Sequence, residues 1–221
     1  MMQRAYGLDI PLSLDDLCDP RRTALIVYDM QVGIVSQIAD GARIAQGVKE
    51  VIHAARIGGF RIIYTRHMYL PKEIAGVSQL RTAMAWQRVN QVSEVKPHFL
   101  RDSPEFALIP SLSPHSSEAV FDKISMSAFV GTPLDVVLRD CGIQSFLIAG
   151  IAVEIGIEPT VRHAMDLGYI PILITDACGC GNKTAADRSL ASLADFGGSL
   201  QTDVNTIVAL LKRGANLPEQ D

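Results

Sequence analysis

The chain has 221 residues, of which 48% are hydrophobic and 20% are charged. A chain of this length and composition is predicted to form one domain with a sizeable core. Its formal net charge is −4, so we do not expect a basic surface that binds nucleic acid. It contains no run of about 18 apolar residues, so we expect neither a transmembrane helix nor a membrane partner.

The predicted domain spans residues 1–221, with residues 1–21 as an N-terminal extension. This extension carries four aspartates and no apolar segment, which is not typical of a signal peptide. The four cysteines show no spacing typical of disulfides or zinc ligands. We therefore predict a cytoplasmic protein without a cofactor.

Short apolar runs alternate with stretches of helical spacing along the chain. Strands are predicted at residues 23–29, 60–65, 119–122, 145–149 and 169–175. Helices are predicted at about 44–55, 80–89, 132–141, 158–167, 183–195 and 204–212, with Thr132 as the N-cap of the third. Irregular loops are predicted at residues 66–79 and 90–116. This alternation predicts an α/β fold, in which a mainly parallel, Rossmann-like sheet forms a three-layer α/β/α sandwich.

Two charged residues follow predicted strands. Asp29 ends the first strand, and Lys123 follows the third. The carboxyl ends of parallel strands meet at one crevice, where reacting groups gather. We predict that Asp29 is a general acid or base and that Lys123 helps to hold the substrate. The simpler interpretations are an aspartate that caps a loop and a solvated lysine.

Gly156 occupies a strand–turn–helix junction, where a catalytic side chain is expected. A serine, threonine or cysteine there would offer a nucleophile, whereas glycine offers none. We expect Gly156 to leave room for a ligand and to expose N–H groups at the positive end of a helix. The alternative is a glycine that a tight turn requires.

Three segments together resemble the isochorismatase-like hydrolases, the cysteine-hydrolase superfamily. They are Asp29-Met-Gln31, residues 123–129 and residues 150–164, and the resemblance extends over about residues 22–212. Most members have a cysteine at the position of Gly156, but isochorismatases have a glycine and use no covalent nucleophile. The resemblance implies a hydrolase in which Asp29 is catalytic and Lys123 pairs with it.

The resemblance also assigns residues around the junction. It implies a cis peptide at Ile151-Ala152 that helps to form an oxyanion hole. Isochorismatases have a tyrosine at the position of Ala152 and a histidine at that of Glu154, and this chain has neither. Cysteine hydrolases usually have an aspartate where Glu154 stands, so the chain combines features of both groups, and we predict that Glu154 binds the substrate.

Further candidates for the substrate pocket follow the second strand. Isochorismatases have a glutamine at the position of His67 and a later arginine, for which Arg81 is the candidate. The alternative interpretation is that His67 has a structural role only. Phe129, with Tyr69 and Trp86, is a candidate pocket wall, although single aromatic residues more often belong to the core. We see no set of metal ligands after the second strand, so no metal is expected.

Three functions remain open at this point. The first is hydrolysis by water after Asp29 protonates a small carboxylated substrate, such as an enol ether. The second is hydrolysis of an amide or ureide by direct attack of water, with Asp29 as the base. The third is a catalytically silent protein that binds a ligand or partner. Cys178 and Cys180 are alternative nucleophiles but are better explained as structural cysteines. We also expect a homo-oligomer, a dimer or tetramer.

Overall fold

The structure is a computed structural model that describes residues 2–213. The strands are β1 (Gln3–Ala5), β2 (Leu8–Ile10), β3 (Thr23–Tyr28), β4 (Arg61–His67), β5 (Ala119–Lys123), β6 (Ser145–Ile151), β7 (Ile170–Gly179) and β8 (Leu200–Thr202). The helices are α1 (Leu14–Leu17), α2 (Val32–Val35), α3 (Gly41–Ile57), α4 (Val77–Gln87), α5 (Leu134–Asp140), α6 (Glu158–Asp166), α7 (Lys183–Phe196) and α8 (Val204–Arg213). A π-helical turn (Val153–Ile157) precedes α6.

Six strands form the central sheet in the order β5-β4-β3-β6-β7-β8. Every neighbouring pair in this sheet is parallel. The inner strands β3 and β6 are buried along their whole length, as expected for a parallel sheet covered on both faces. The predicted α/β fold with a mainly parallel sheet is therefore confirmed.

The two faces of the sheet carry separate hydrophobic layers. On one face, apolar residues of α3 and α8 pack against alternate residues of the inner strands. On the other face, residues of α5, α6 and α7 pack against the remaining strand residues. Because successive side chains of a strand point to opposite faces, the continuous apolar run of β3 supplies both layers. The result is the predicted three-layer sandwich.

Several boundaries differ from the sequence prediction. β4 continues to His67 and β7 continues to Gly179, because both strands have neighbours along these residues. Helix α5 begins at Leu134 with Pro133 as its N-cap, so the prediction of Thr132 as the N-cap is wrong by one residue. The Thr132 hydroxyl nevertheless accepts a hydrogen bond from the Leu134 N–H at 3.2 Å.

Some elements were not predicted at all. The N-terminal extension forms an antiparallel hairpin of β1 and β2, followed by α1. The edge strand β8 was missed because it has only three residues. No helix within residues 2–213 is both long and apolar enough to cross a membrane.

A close approach of two inner strands shapes the carboxyl edge of the sheet. Gly150 of β6 has a φ angle of +136°. A Cβ atom at this position would lie 2.8 Å from the Tyr28 carbonyl carbon and 2.9 Å from its nitrogen. Only glycine permits this conformation and this distance. Directly after Tyr28, Asp29 adopts a φ angle of +48°, which is uncommon for a residue other than glycine.

Candidate active site

A cavity of about 510 Å³ opens at the carboxyl edge of the central sheet. Its polar wall includes Asp29, Gln37, His67 and Arg88. Its apolar wall includes Trp86, Phe99, Met126, Ile151, Ala152 and Ile155. An apolar cavity with a few converging polar groups at this edge is the usual form of a small-molecule site in a parallel α/β protein.

Asp29 is buried at the base of the cavity and accepts hydrogen bonds on both carboxylate oxygens. Lys123 Nζ donates to Asp29 Oδ2 at 2.6 Å, and the Thr65 hydroxyl donates to Oδ1 at 2.6 Å. These contacts join the carboxyl ends of β3, β4 and β5. The convergence of Asp29 and Lys123 follows from the strand order, in which β4 separates the two strands that carry them.

The Lys123 ammonium is enclosed by the protein. Its Nζ atom also donates to the Ser125 carbonyl oxygen at 3.2 Å and lies 4.3 Å from the centre of the Tyr28 ring, a favourable position for a cation. Burial lowers the pKa of Lys123 from its usual value, and the Asp29 charge opposes this shift. The lysine therefore has one anionic partner and no exposure to solvent.

His67 lies in the cavity wall at the end of β4. The buried Gln31 side chain holds this segment: its amide donates to the carbonyl oxygens of His67 at 2.9 Å and Phe106 at 3.0 Å. The Gln31 oxygen accepts from the His67 N–H at 2.6 Å. Burial, followed by the charge of Lys123, lowers the pKa of His67 to about 4. At neutral pH its imidazole is uncharged and can either donate or accept a hydrogen bond.

The Ile151-Ala152 peptide bond is cis, as the family resemblance implied. Both residues line the cavity. The N–H groups of Ile155, Gly156 and Ile157 all point to the Ala152 carbonyl oxygen, at 3.4, 3.0 and 3.1 Å. The expectation of free N–H groups at Gly156 is therefore wrong, because the π-helical turn directs them to one backbone oxygen.

Gly156 lines the cavity, but the expectation that it leaves room for a ligand is also wrong. A Cβ atom at Gly156 would lie 2.5 Å from Cζ of Tyr28 and 2.6 Å from its Cε1. The Tyr28 side chain thus already fills the space into which a side chain at position 156 would extend.

Two predicted substrate-binding residues have structural contacts instead. Glu154 Oε1 accepts hydrogen bonds from the N–H groups of Gly181 at 2.8 Å and Asn182 at 2.7 Å. Glu154 thereby joins the π-helical turn to the loop after β7. Phe129 is buried against Tyr169, with ring centres 5.8 Å apart, and belongs to the core. Neither Glu154 nor Phe129 is in the cavity wall.

The arginine of the cavity is Arg88 and not Arg81. Both are exposed residues of the α4 region, but Arg88 lines the cavity and Arg81 does not. Arg88 ends α4 with a φ angle of +54°, and this left-handed conformation turns the chain at the mouth of the cavity. Trp86 also lines the cavity, as one interpretation of the sequence had it, whereas Tyr69 is buried in a separate small cluster.

The cysteines are not arranged for nucleophilic catalysis. Cys178 is buried, donates to the Ile148 carbonyl oxygen at 3.7 Å, and has a pKa that burial raises to about 12. Burial also raises the pKa of the partly exposed Cys180. Within residues 2–213, no group of three or more histidine, cysteine or acidic side chains is placed to hold a metal ion.

This fold and this site together define a class of parallel α/β enzymes that act on small molecules at the carboxyl edge of the sheet. A family model described as Isochorismatase domain matches residues 23–203. The chain therefore belongs to the isochorismatase family and is a hydrolase.

The chain is also similar to a named relative in sequence and to two solved structures in fold. It is 28% identical over 206 residues to the ureidoacrylate amidohydrolase RutB of Acinetobacter baylyi, covering 85% of this chain and 84% of the relative. A cysteine hydrolase from Pseudomonas syringae pv. phaseolicola has the same fold, with a TM-score of 0.74 and 25% identity, over 89% of this chain and 95% of that chain. The N-carbamoylsarcosine amidase from Thermoplasma acidophilum shares the fold with a TM-score of 0.67 and 20% identity, over 83% of this chain and 97% of that chain.

Proposed function

We propose that this protein hydrolyses a small amide or ureide that carries a carboxylate, by direct attack of water and without a covalent intermediate. The observation that carries the proposal is that one site contains a buried Asp29–Lys123 ion pair and has a glycine, Gly156, at the position where a nucleophile is expected. The similarity to a ureidoacrylate amidohydrolase supports an amide or ureide as the substrate.

Asp29 is the proton acceptor in this proposal. Hydrogen bonds from Lys123 and Thr65 hold both of its carboxylate oxygens in place, and each oxygen keeps a further lone pair that can accept a proton from water. Asp29 takes a proton from water, and the hydroxide adds to the carbonyl carbon of the substrate. The tetrahedral intermediate then breaks its C–N bond, and Asp29 returns the proton to the leaving nitrogen. The products are a carboxylic or carbamic acid and an amine or amide.

Other residues bind the substrate in this proposal. Arg88 receives the carboxylate at the mouth of the cavity, since a guanidinium matches the geometry of a carboxylate. The neutral imidazole of His67 hydrogen-bonds to the amide, and the backbone of Ile151 and Ala152 stabilises the developing oxyanion. Trp86 and neighbouring apolar residues enclose the remainder of the substrate.

The test is turnover of a panel of carboxylated amides and ureides by the wild type and by Asp29→Asn. We expect Asp29→Asn to lower kcat by about 10²- to 10⁴-fold while KM changes little, because the substitution removes the base but preserves the shape. Asp122→Asn is a matched control: Asp122 precedes Lys123 but pairs with Arg66 outside the cavity. Near wild-type turnover by Asp29→Asn would refute the role of Asp29.

A second candidate is hydrolysis of an enol ether, in which Asp29 acts as an acid and protonates carbon. Glycine at position 156 favours it, because isochorismatases share this residue and use no covalent nucleophile. The two reactions are distinguishable in deuterated water. Protonation at carbon places deuterium in a non-exchanging C–H position of the product, whereas amide hydrolysis does not.

We also propose that the protein is a homo-oligomer. Large hydrophobic side chains are exposed on the N-terminal hairpin and its exit, including Tyr6, Leu8 and Leu12 at 100%, 63% and 56%. Apolar surface of this kind favours association. Light scattering at micromolar concentration should give a mass above the 24.0 kDa of one chain, and a mass of one chain would refute the proposal.

A further inference from the structure

The Tyr28 side chain lies directly against Gly156. Tyr28 is the last residue of β3 and is 1% exposed, and its hydroxyl donates a hydrogen bond to the Met126 carbonyl oxygen. A Cβ atom at Gly156 would overlap this hydroxyl and lie 2.5 and 2.6 Å from two ring carbons. Such distances are far below van der Waals contact, so any larger residue at position 156 would displace the ring.

The Tyr28 ring borders the cavity on one side and is held by packing and polar contacts on its other sides. Tyr28 shares the face of β3 with Ala24 and Ile26, and this face is packed against α5, α6 and α7. The Lys123 ammonium lies 4.3 Å from the ring centre, and the hydroxyl is held by the Met126 backbone. Displacing the ring would therefore disturb the core, the cation–π contact and a buried hydrogen bond together.

We propose that Tyr28 occupies the volume in which a nucleophilic side chain at position 156 would stand, and that Tyr28 and Gly156 together restrict this site to attack by water. The role of water rests on the proposed function, whereas the exclusion of a side chain at position 156 is independent of any substrate. Tyr28 is a positioning residue in this proposal: it covers the Lys123 side of the Asp29–Lys123 pair and excludes a covalent route.

Tyr28 does not itself replace the missing nucleophile. Burial raises the pKa of its phenol well above the usual value, and its proton is directed at a backbone carbonyl. A phenolate nucleophile is therefore not available near neutral pH.

A cycle of four proteins tests the exclusion: wild type, Gly156→Ala, Tyr28→Val, and the double variant, each followed by thermal unfolding. We expect Gly156→Ala to lower Tm by roughly 10 °C in the wild type, since it forces an overlap in a packed core. In the Tyr28→Val background the same change should cost little or raise Tm, because the space is free and alanine favours a helix.

Two further variants make the cycle specific. Tyr28→Phe keeps the ring and should not rescue Gly156→Ala, because two ring carbons still overlap the added methyl group. Gly47→Ala in α3 is the matched control, since its Cβ would meet no atom closer than Val204 Cγ2 at 3.3 Å. It should shift Tm by the same small amount with Tyr28 or Val at position 28.

A chemical readout complements the cycle. The thiol introduced by Gly156→Cys should react with iodoacetamide, losing its proton to the buffer and displacing iodide, only when Tyr28→Val is also present. Peptide mass mapping identifies the modified position. Additive Tm effects, a double variant no better folded than Gly156→Ala alone, or normal folding and labelling of Gly156→Cys beside Tyr28 would each overturn the proposal. A failure of the proposed function would appear differently, as an absence of turnover with the cycle unchanged.

Discussion

Lys123 Nζ lies 2.6 Å from Asp29 Oδ2, and the two side chains are 0% and 5% exposed. A buried ion pair contributes little net stability, because desolvation offsets the attraction between the charges. Removing one partner is different, since it leaves the other charge buried and unpaired. This asymmetry makes the pair measurable without knowledge of the substrate.

We predict that Lys123→Met lowers the free energy of unfolding by about 3–5 kcal/mol at pH 7, because Asp29 is left without its cation. The double variant Asp29→Asn/Lys123→Met should recover much of this loss. Urea unfolding of the four proteins of the cycle measures the coupling free energy. Strictly additive effects would contradict a direct interaction between these two residues.

Arg88 and Arg81 provide a matched pair on one segment. We predict that Arg88→Gln raises KM for carboxylated substrates by about 10- to 100-fold, because the variant cannot form a hydrogen-bonded charge pair with the bound carboxylate. It should change KM for neutral amides much less. Arg81→Gln, at an exposed position outside the cavity wall, should leave both values unchanged. Equal effects of Arg88→Gln on charged and neutral substrates would exclude a carboxylate-binding role.

We predict that thiol chemistry does not contribute to activity. Burial raises the pKa of Cys178 to about 12, so its reactive thiolate is scarce at neutral pH. Iodoacetamide should leave turnover intact, and Cys178→Ala and Cys180→Ala should retain it. A catalytic cysteine would instead be identified if iodoacetamide inactivates the protein, substrate prevents this inactivation, and either Cys178→Ala or Cys180→Ala abolishes it.

The buried His67 should make stability depend on pH. Its pKa is lowered from the usual 6.5 to about 4, so the unfolded chain binds more protons between these values. The stability due to neutral His67 is complete above about pH 6.5 and is lost as the pH falls toward 4, by about 3 kcal/mol in total. In His67→Gln, the unfolding free energy should depend less on pH between about pH 4 and 6.5. His53→Gln, at an exposed site on α3, should not.

The sequence predicts the fold and the base of the site well, for a physical reason. Buried parallel strands are continuous apolar runs, so the carboxyl end of each strand can be located to within a few residues. Asp29 follows such a run in β3, whereas Lys123 is the last residue of the partly exposed edge strand β5. Their convergence requires parallel strands and also the strand order, in which β4 lies between β3 and β5. The strand that carries His67 was predicted to end two residues too early, at residue 65 instead of at His67.

The walls of the site could not be predicted in the same way. Arg88 lines the cavity because α4 ends there in a left-handed residue, and helical spacing alone does not distinguish it from Arg81. Tyr28 and Gly156 are in contact but far apart in sequence, so no local sequence pattern predicts this contact. Phe129 and Glu154 were predicted to line the substrate pocket, whereas their contacts are with the protein itself.

The Gln31 side-chain amide forms hydrogen bonds to two backbone segments, as a neighbouring strand would. It supplies one donor to His67, one donor to Phe106 and one acceptor for the His67 N–H. The long segment at residues 90–116 is joined to this part of the site by further backbone contacts: the Val32 N–H donates to the Ala107 carbonyl oxygen at 2.8 Å, and the Ile109 N–H donates to that of Met30 at 3.0 Å. A replacement of this segment that kept only the Phe106 carbonyl would therefore leave backbone groups of Met30 and Val32 without partners.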